Sequence, residues 1–216
     1  KSNSYDYGML GLDFGKLNVR YFHGYLETDS LLYNRYITGR GIEWNNGNSF
    51  LLGISEVIIY SGKNRPIDFS YFNPMSTHLE IELNNRQNNV GTASGNGVWQ
   101  LSIDLLLLRK VRLSANYLFD EFTIDKQQIN AGKGHGGAHS FKILYPLVNN
   151  NQIIASLYLS NISIGTNTLK HQAGYNNFVQ RGKPLGWDIG SDSKEIKLGL
   201  ISSYNNIIAC IEIGYR

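Results

Sequence analysis

The side chains best suited to chemistry in this 216-residue chain gather in three places. Asp120, Glu121 and Asp125 bring carboxylates close together in the chain. Such groups exchange protons or hold a hard cation such as Ca²⁺ through oxygen ligands. Adjacent residues of a strand point to opposite faces, which works against a dyad at Asp120 and Glu121 and favours an acidic strand end entering a loop. Arg35, Arg40, Glu43 and Trp44 share the strand-like segment YNRYITGRGIEW. They supply planar donors for hydroxyl groups and a ring for a sugar face, or else form an ordinary polar strand face. Arg181 and Trp187, beside Asp188, repeat that combination in a long loop. Ligand contact is therefore expected at Arg35, Arg40, Glu43, Trp44, Asp120, Glu121, Asp125, Arg181 and Trp187.

Other motifs carry less. Gly132-Lys133-Gly134-His135-Gly136-Gly137 lacks the spacing and the Ser or Thr after Lys that a phosphate loop needs, and reads as a surface loop. His135 and His139 have helical ligand spacing in a glycine-rich stretch that cannot hold a helix. No Ser-His-Asp or Cys-His arrangement follows from spacing, so no enzyme, metal or cofactor is expected. The single cysteine, Cys210, excludes an intrachain disulfide and reads as a small buried hydrophobe. A formal charge of +3 is too small to imply a nucleic-acid partner, and 17% charged with 42% hydrophobic residues excludes a disordered chain.

The elements that must position these residues are strands. Val111, Leu113, Ala115, Tyr117 and Phe119 alternate with Arg112, Ser114, Asn116 and Asp120, the period of an extended chain with two different faces. Leu101–Leu107, Ile196–Leu200 and Ile207–Tyr215 repeat the pattern. Residues 49–60 and 153–162 are apolar on both faces, as in strands covered on both sides. Gly15, Asn46-Gly47, Asn149–Asn151 and Asn205-Asn206 mark short turns, because Asn and Gly tolerate positive φ. Longer loops are expected near 61–74, 125–139 and 165–193. The reading is an all-β chain of about 10–12 strands of about 9–12 residues, a length that also crosses a bilayer when tilted. No boundary divides it, and 1–216 reads as a single domain.

Alternation alone does not tell a soluble β-sandwich binding module from a transmembrane barrel. Strands longer than soluble sheets use, scarce charge, and aromatics near strand ends (Tyr21, Tyr25, Tyr60, Tyr117, Phe119, Tyr204, Tyr215) favour the barrel. No apolar run reaches the ~18 residues of a helical span.

Three collinear stretches carry a family resemblance. LGISEVIIYSGKNRPIDFSYFNP (52–74), YLFDEFTID (117–125) and YNNFVQRGKPLGWDIGS (175–191) are similar to elements of the capsule-assembly (Wzi-type) outer-membrane barrels, in their divergent Bacteroidetes-like branch. The resemblance implies an antiparallel transmembrane β-barrel in the outer membrane of a Gram-negative bacterium, or the C-terminal part of a larger barrel. It implies a non-enzymatic protein that binds, retains or organises surface polysaccharide. Partners would be outer-membrane lipid, the polysaccharide and other outer-membrane proteins. A passive pore, or a structural component of a larger outer-membrane complex, is the alternative.

Overall fold

A computed structural model describes residues 4–84, 86, 88, 95–121, 136–150, 152–171 and 174–216. Ten strands form one antiparallel sheet. They are β1 (Asp6–Asp13), β2 (Leu17–Thr28), β3 (Tyr33–Asn45), β4 (Phe50–Lys63), β5 (Asn96–Leu107), β6 (Val111–Glu121), β7 (Gly136–Asn149), β8 (Ile153–Ile164), β11 (Ser193–Tyr204) and β12 (Ile207–Tyr215). Each pairs with its neighbour along the chain, β8 passing to β11 across a loop that carries the small hairpin β9 (Val179–Gln180) and β10 (Lys183–Pro184). Among the described residues, no pairing joins β1 to β12, so the sheet has two edges.

The turns expected at Gly15, Asn46-Gly47 and Asn205-Asn206 fall between paired strands; of the turn expected at Asn149–Asn151, Asn149 ends β7, Asn150 lies between the strands, and Asn151 is outside the described residues. Asn46 Oδ1 accepts from the N–H groups of Asn48, Ser49 and Phe50, and Asn45 Oδ1 from that of Gly47, so the two asparagine side chains hold the turn. The β5–β6 turn was not legible, because Leu108 and Arg109 adopt φ of 50° and 56° without Gly or Asn. Five of the six short turns lie at one end of the sheet; the opposite end carries the sixth, at 29–32, and the passages from β4 to β5, from β6 to β7 and from β8 to β11.

Register assigns each residue to one of two faces. One is apolar and bare over much of its area: Leu157 and Leu159 on β8 are 39% and 41% exposed, and Ile211 and Ile213 on β12 exceed 70%. The other is polar and is described below. The core forms where two connections fold back on opposite faces. On the polar face the 165–192 connection buries Leu169 and Phe178 against Ile37, Ile59, Val98, Leu118, Ala138 and Ile164. On the apolar face the 64–95 connection lays a 3-10 turn (Phe69–Phe72) and a short helix α1 (His78–Leu83) over β2–β4. There Tyr71 and Ile81 bury Tyr36, Ile58 and Tyr60.

Several expectations change. β4 is covered on both sides only in its loop-end half, where the 165–192 connection on one face and the 64–95 connection, a roof over the other, leave Ile58, Ile59 and Tyr60 fully buried; Leu52 and Ile54 are 38% and 49% exposed. β8 is not, because neither connection reaches Ile153 or Ile154, which are exposed. Tyr60 is no girdle residue; it stacks between Tyr36 and Tyr71. Residues 136–139 belong to β7 and not to a loop. Cys210 is exposed, because it lies on an edge strand that no described residue covers.

Candidate functional site: a polar sheet face stoppered by a loop

Hydrogen bonds run from strand to strand across the polar face. Gln100 Nε2 donates to Asn116 Oδ1 at 2.9 Å, and Asn116 Nδ2 donates to Ser140 Oγ at 3.1 Å. Arg112 Nε and the Ser114 hydroxyl both donate to Asp104. The Lys142 ammonium sits 4.3 Å over the Tyr158 ring, whose hydroxyl donates to Glu212. Glu195 accepts from Lys197 and Arg216. Cationic Arg112, Lys142 and Lys197 are each placed beside an acceptor or a ring, so these polar side chains partner one another across the face.

Two hollows open on this face. One, of about 330 Å³, lies between β6 and β12 under Asp188 of the loop and is bordered by Lys142, Tyr158, Lys197 and Glu212. The other, of about 300 Å³, spans β1 to β5 over Gly39, Gly41 and Gly53, with Arg20 and Glu43 at its side. Both lie at the small end of the ~300–1,000 Å³ range of ligand sites. Glycines form the floor for a steric reason: a Cβ on Gly39 would meet the Phe22 ring at 2.2 Å, and one on Gly53 the Ser102 hydroxyl at 2.5 Å.

The 165–192 connection closes the loop end. Arg35 donates to Tyr175 O at 2.7 Å and Asn177 O at 2.6 Å while pairing with Glu27 at 2.8 Å. The Ser61 hydroxyl donates to Asn176 Oδ1, and Asn96 Nδ2 to Asn176 O. Asp120 accepts from the Leu169 N–H, and Gln180 Nε2 donates to Leu26 O. The Tyr175 ring stacks on Tyr33 at 3.9 Å.

The sequence-predicted residues separate. Arg35 and Glu43 lie on the polar face, whereas Arg40 and Trp44, on the same strand, lie on the apolar one. Arg35 holds the loop and Glu43 borders a hollow. Arg40 is covered by the 64–95 connection and Trp44 is 42% exposed near the turn end. Asp120 also holds the loop. The Glu121 side chain, Asp125, and the Gly132–His135 stretch lie outside the described residues. Trp187 packs against the core beneath the loop, and Arg181 is exposed in the β9–β10 turn. Lys142, Tyr158, Lys197 and Glu212 were not singled out, although each alternates with an apolar neighbour; no one of them has a distinctive motif.

A scan against protein-family models finds no match, and a search of curated proteins finds none either.

Proposed function

We propose that this chain is wall and stopper of an outer-membrane β-barrel that retains surface polysaccharide, binding it without covalent chemistry. The observation that carries the barrel is the exposed apolar face, Leu157, Leu159, Ile196, Leu198, Ile211 and Ile213 among it, back to back with a hydrogen-bonded polar face. In water, apolar rows of that extent call for a second layer; in a bilayer they meet acyl chains, and the polar face lines a wet interior. Only short turns at one end and every long connection at the other, beside the single short turn at 29–32, resemble the asymmetry of outer-membrane barrels. The open edges of β1 and β12 call for further strands, because a sheet in lipid must satisfy its backbone.

The polysaccharide rests on the family resemblance and on the stopper. A loop tied down by Arg35, Asn96, Asp120 and Gln180 disfavours a free pore at the loop end. It presents Arg181 and Lys183 outward. The test is fractionation of the intact gene product, followed by gel mobility with and without heating and by co-sedimentation with the cell's own surface polysaccharide. An outer-membrane location with heat-modifiable mobility supports the barrel, and a soluble, unshifted band refutes it. Co-sedimentation weakened in Arg181→Ala and Lys183→Ala supports glycan retention. A membrane-located barrel that leaves the glycan in solution refutes that half alone.

A further inference from the structure

On the polar face, the side chains of Arg20 on β2 and Glu43 on β3 have no hydrogen-bond or ion-pair partner among the described residues. They are diagonal neighbours, since Arg20 lies opposite Gly41 and Glu43 is two residues further along β3. Side chains of that length reach across such a diagonal. Asp104 and Arg112 stand on the corresponding diagonal of β5 and β6, and there Arg112 Nε donates to Asp104 at 2.9 Å. Lys142, Lys197 and Glu212 have their partners too. The β2–β3 corner of the face is therefore charged like the rest but not closed on itself.

Both side chains border the hollow of about 300 Å³. Phe22, Arg20 and Glu43 each lie opposite a glycine in register, namely Gly39, Gly41 and Gly53. No side chain from those facing positions fills the space, so backbone forms the floor. The Phe22 ring lies over Gly39 at one end and gives the hollow an apolar surface. On the far side, β4 and β5 contribute Ser55 and Ser102, whose hydroxyl groups can donate and accept. An apolar surface with a few convergent polar groups is the usual make-up of a small-molecule site.

The geometry points to a saccharide subsite: the hollow holds one uncharged sugar unit of the retained polysaccharide, between Arg20 and Glu43. This rests on the polysaccharide reading. Arg20 offers a planar fork of donors and Glu43 two acceptor oxygens, so hydroxyl groups of one ring serve both. An anion would meet Glu43 and a cation would meet Arg20, so the pair selects against charged ligands. The Phe22 ring takes the C–H face of the sugar.

The test uses the full gene product and the cell's own surface polysaccharide, cut to mono- and disaccharides and separated by charge. Isothermal titration measures the neutral and charged fractions against the parent protein, Arg20→Gln and Glu43→Gln. The neutral fraction should bind the parent, and each variant should weaken that binding about tenfold or more. Ser55→Leu, which fills the hollow and leaves both charges in place, should abolish it. Urea midpoints of Arg20→Gln and Glu43→Gln should stay at the parent's, because neither side chain has an internal bond to lose among the described residues. Binding by the charged fractions only, or neutral binding unaltered in all three variants, overturns the subsite. So does an intact polysaccharide that co-sediments while none of its fractions binds, which leaves retention standing at another site. A parent protein that leaves the intact polysaccharide in solution refutes retention itself, and the subsite falls with it.

Discussion

Arg35 and Asp68 do comparable work on opposite faces of the sheet. Arg35 is 7% exposed and makes three contacts to the stopper and to Glu27. Removing one member of such a buried pair costs about 3–5 kcal/mol. Arg35→Met should free the loop, so that trypsin cuts after Arg181 in the folded protein; a variant as resistant as the parent would show the loop held by other contacts. Asp68 lies outside the strands. Burial works to raise the pKa of its carboxyl, but the Ser70 hydroxyl, the N–H groups of Asn88 and Ser70, and the Arg65 guanidinium donate to it and hold it below the ordinary carboxylate range. A depressed folded pKa contributes stability above the unfolded pKa of about 3.9, and that stability is lost as pH falls through the lower folded value. Acid should therefore loosen the roof before the strands. Asp68→Asn, which removes the carboxylate from beside the Arg65 guanidinium, should loosen it at neutral pH. Hydrogen exchange of residues 68–81 followed from pH 6 to pH 2 checks this, and unchanged protection across that range would contradict it.

At the scale of the strand, glycines mark where side chains from a neighbouring strand lie flat. The Tyr158 ring covers Gly199, where a Cβ would fall 2.4 Å from the ring. Gly199→Ala must displace the ring and with it the Lys142 and Glu212 contacts, at about 1–3 kcal/mol for overpacking. Gly8 on β1 has nothing within 4 Å, so Gly8→Ala should be neutral or stabilise slightly through the unfolded chain. Urea midpoints of the two variants in the same detergent separate these outcomes; equal midpoints would mean the ring is free to move. The β5–β6 turn offers the reverse case. Leu108 at φ 50° and 91% exposed gains nothing from its side chain, and Leu108→Asn should raise the same midpoint.

Over the whole molecule the two faces differ in what they tolerate. Leu159 and Ser160 are neighbours in sequence and lie on opposite faces of β8. On the proposed barrel reading, Leu159→Lys should impair folding into vesicles by about 2–4 kcal/mol, whereas Ser160→Lys should fold almost normally among the side chains of the polar face. Equal penalties, or a penalty only at 160, would invert the assignment of the faces and refute the membrane-facing role of the apolar rows. The stopper and the roof act as a matched pair in this architecture, one on the polar face and one on the apolar face of the same loop-end half of the sheet. Together they account for the only described places where large side chains are fully buried.

The all-β class, the rows of β6, β11 and β12, and four of the six short turns were written in the sequence alone. Alternation and turn chemistry are local, and each is written within a few residues. Parity along YNRYITGRGIEW already separates Arg35 and Glu43 from Arg40 and Trp44, so that part of the candidate site was legible too. What only the tertiary structure decided is which face each long connection covers. A bare apolar row and a buried one have the same period, so Tyr60 reads like Tyr117 until Tyr71 stacks on it. Residues 64–84 have no repeating pattern to show which face they cover; their place is set by contacts such as Glu56 to the His78 N–H, made between residues distant in the chain. The same holds for Arg35 and the carbonyl groups of Tyr175 and Asn177, which meet only because β3 and the stopper are brought together by the sheet between them.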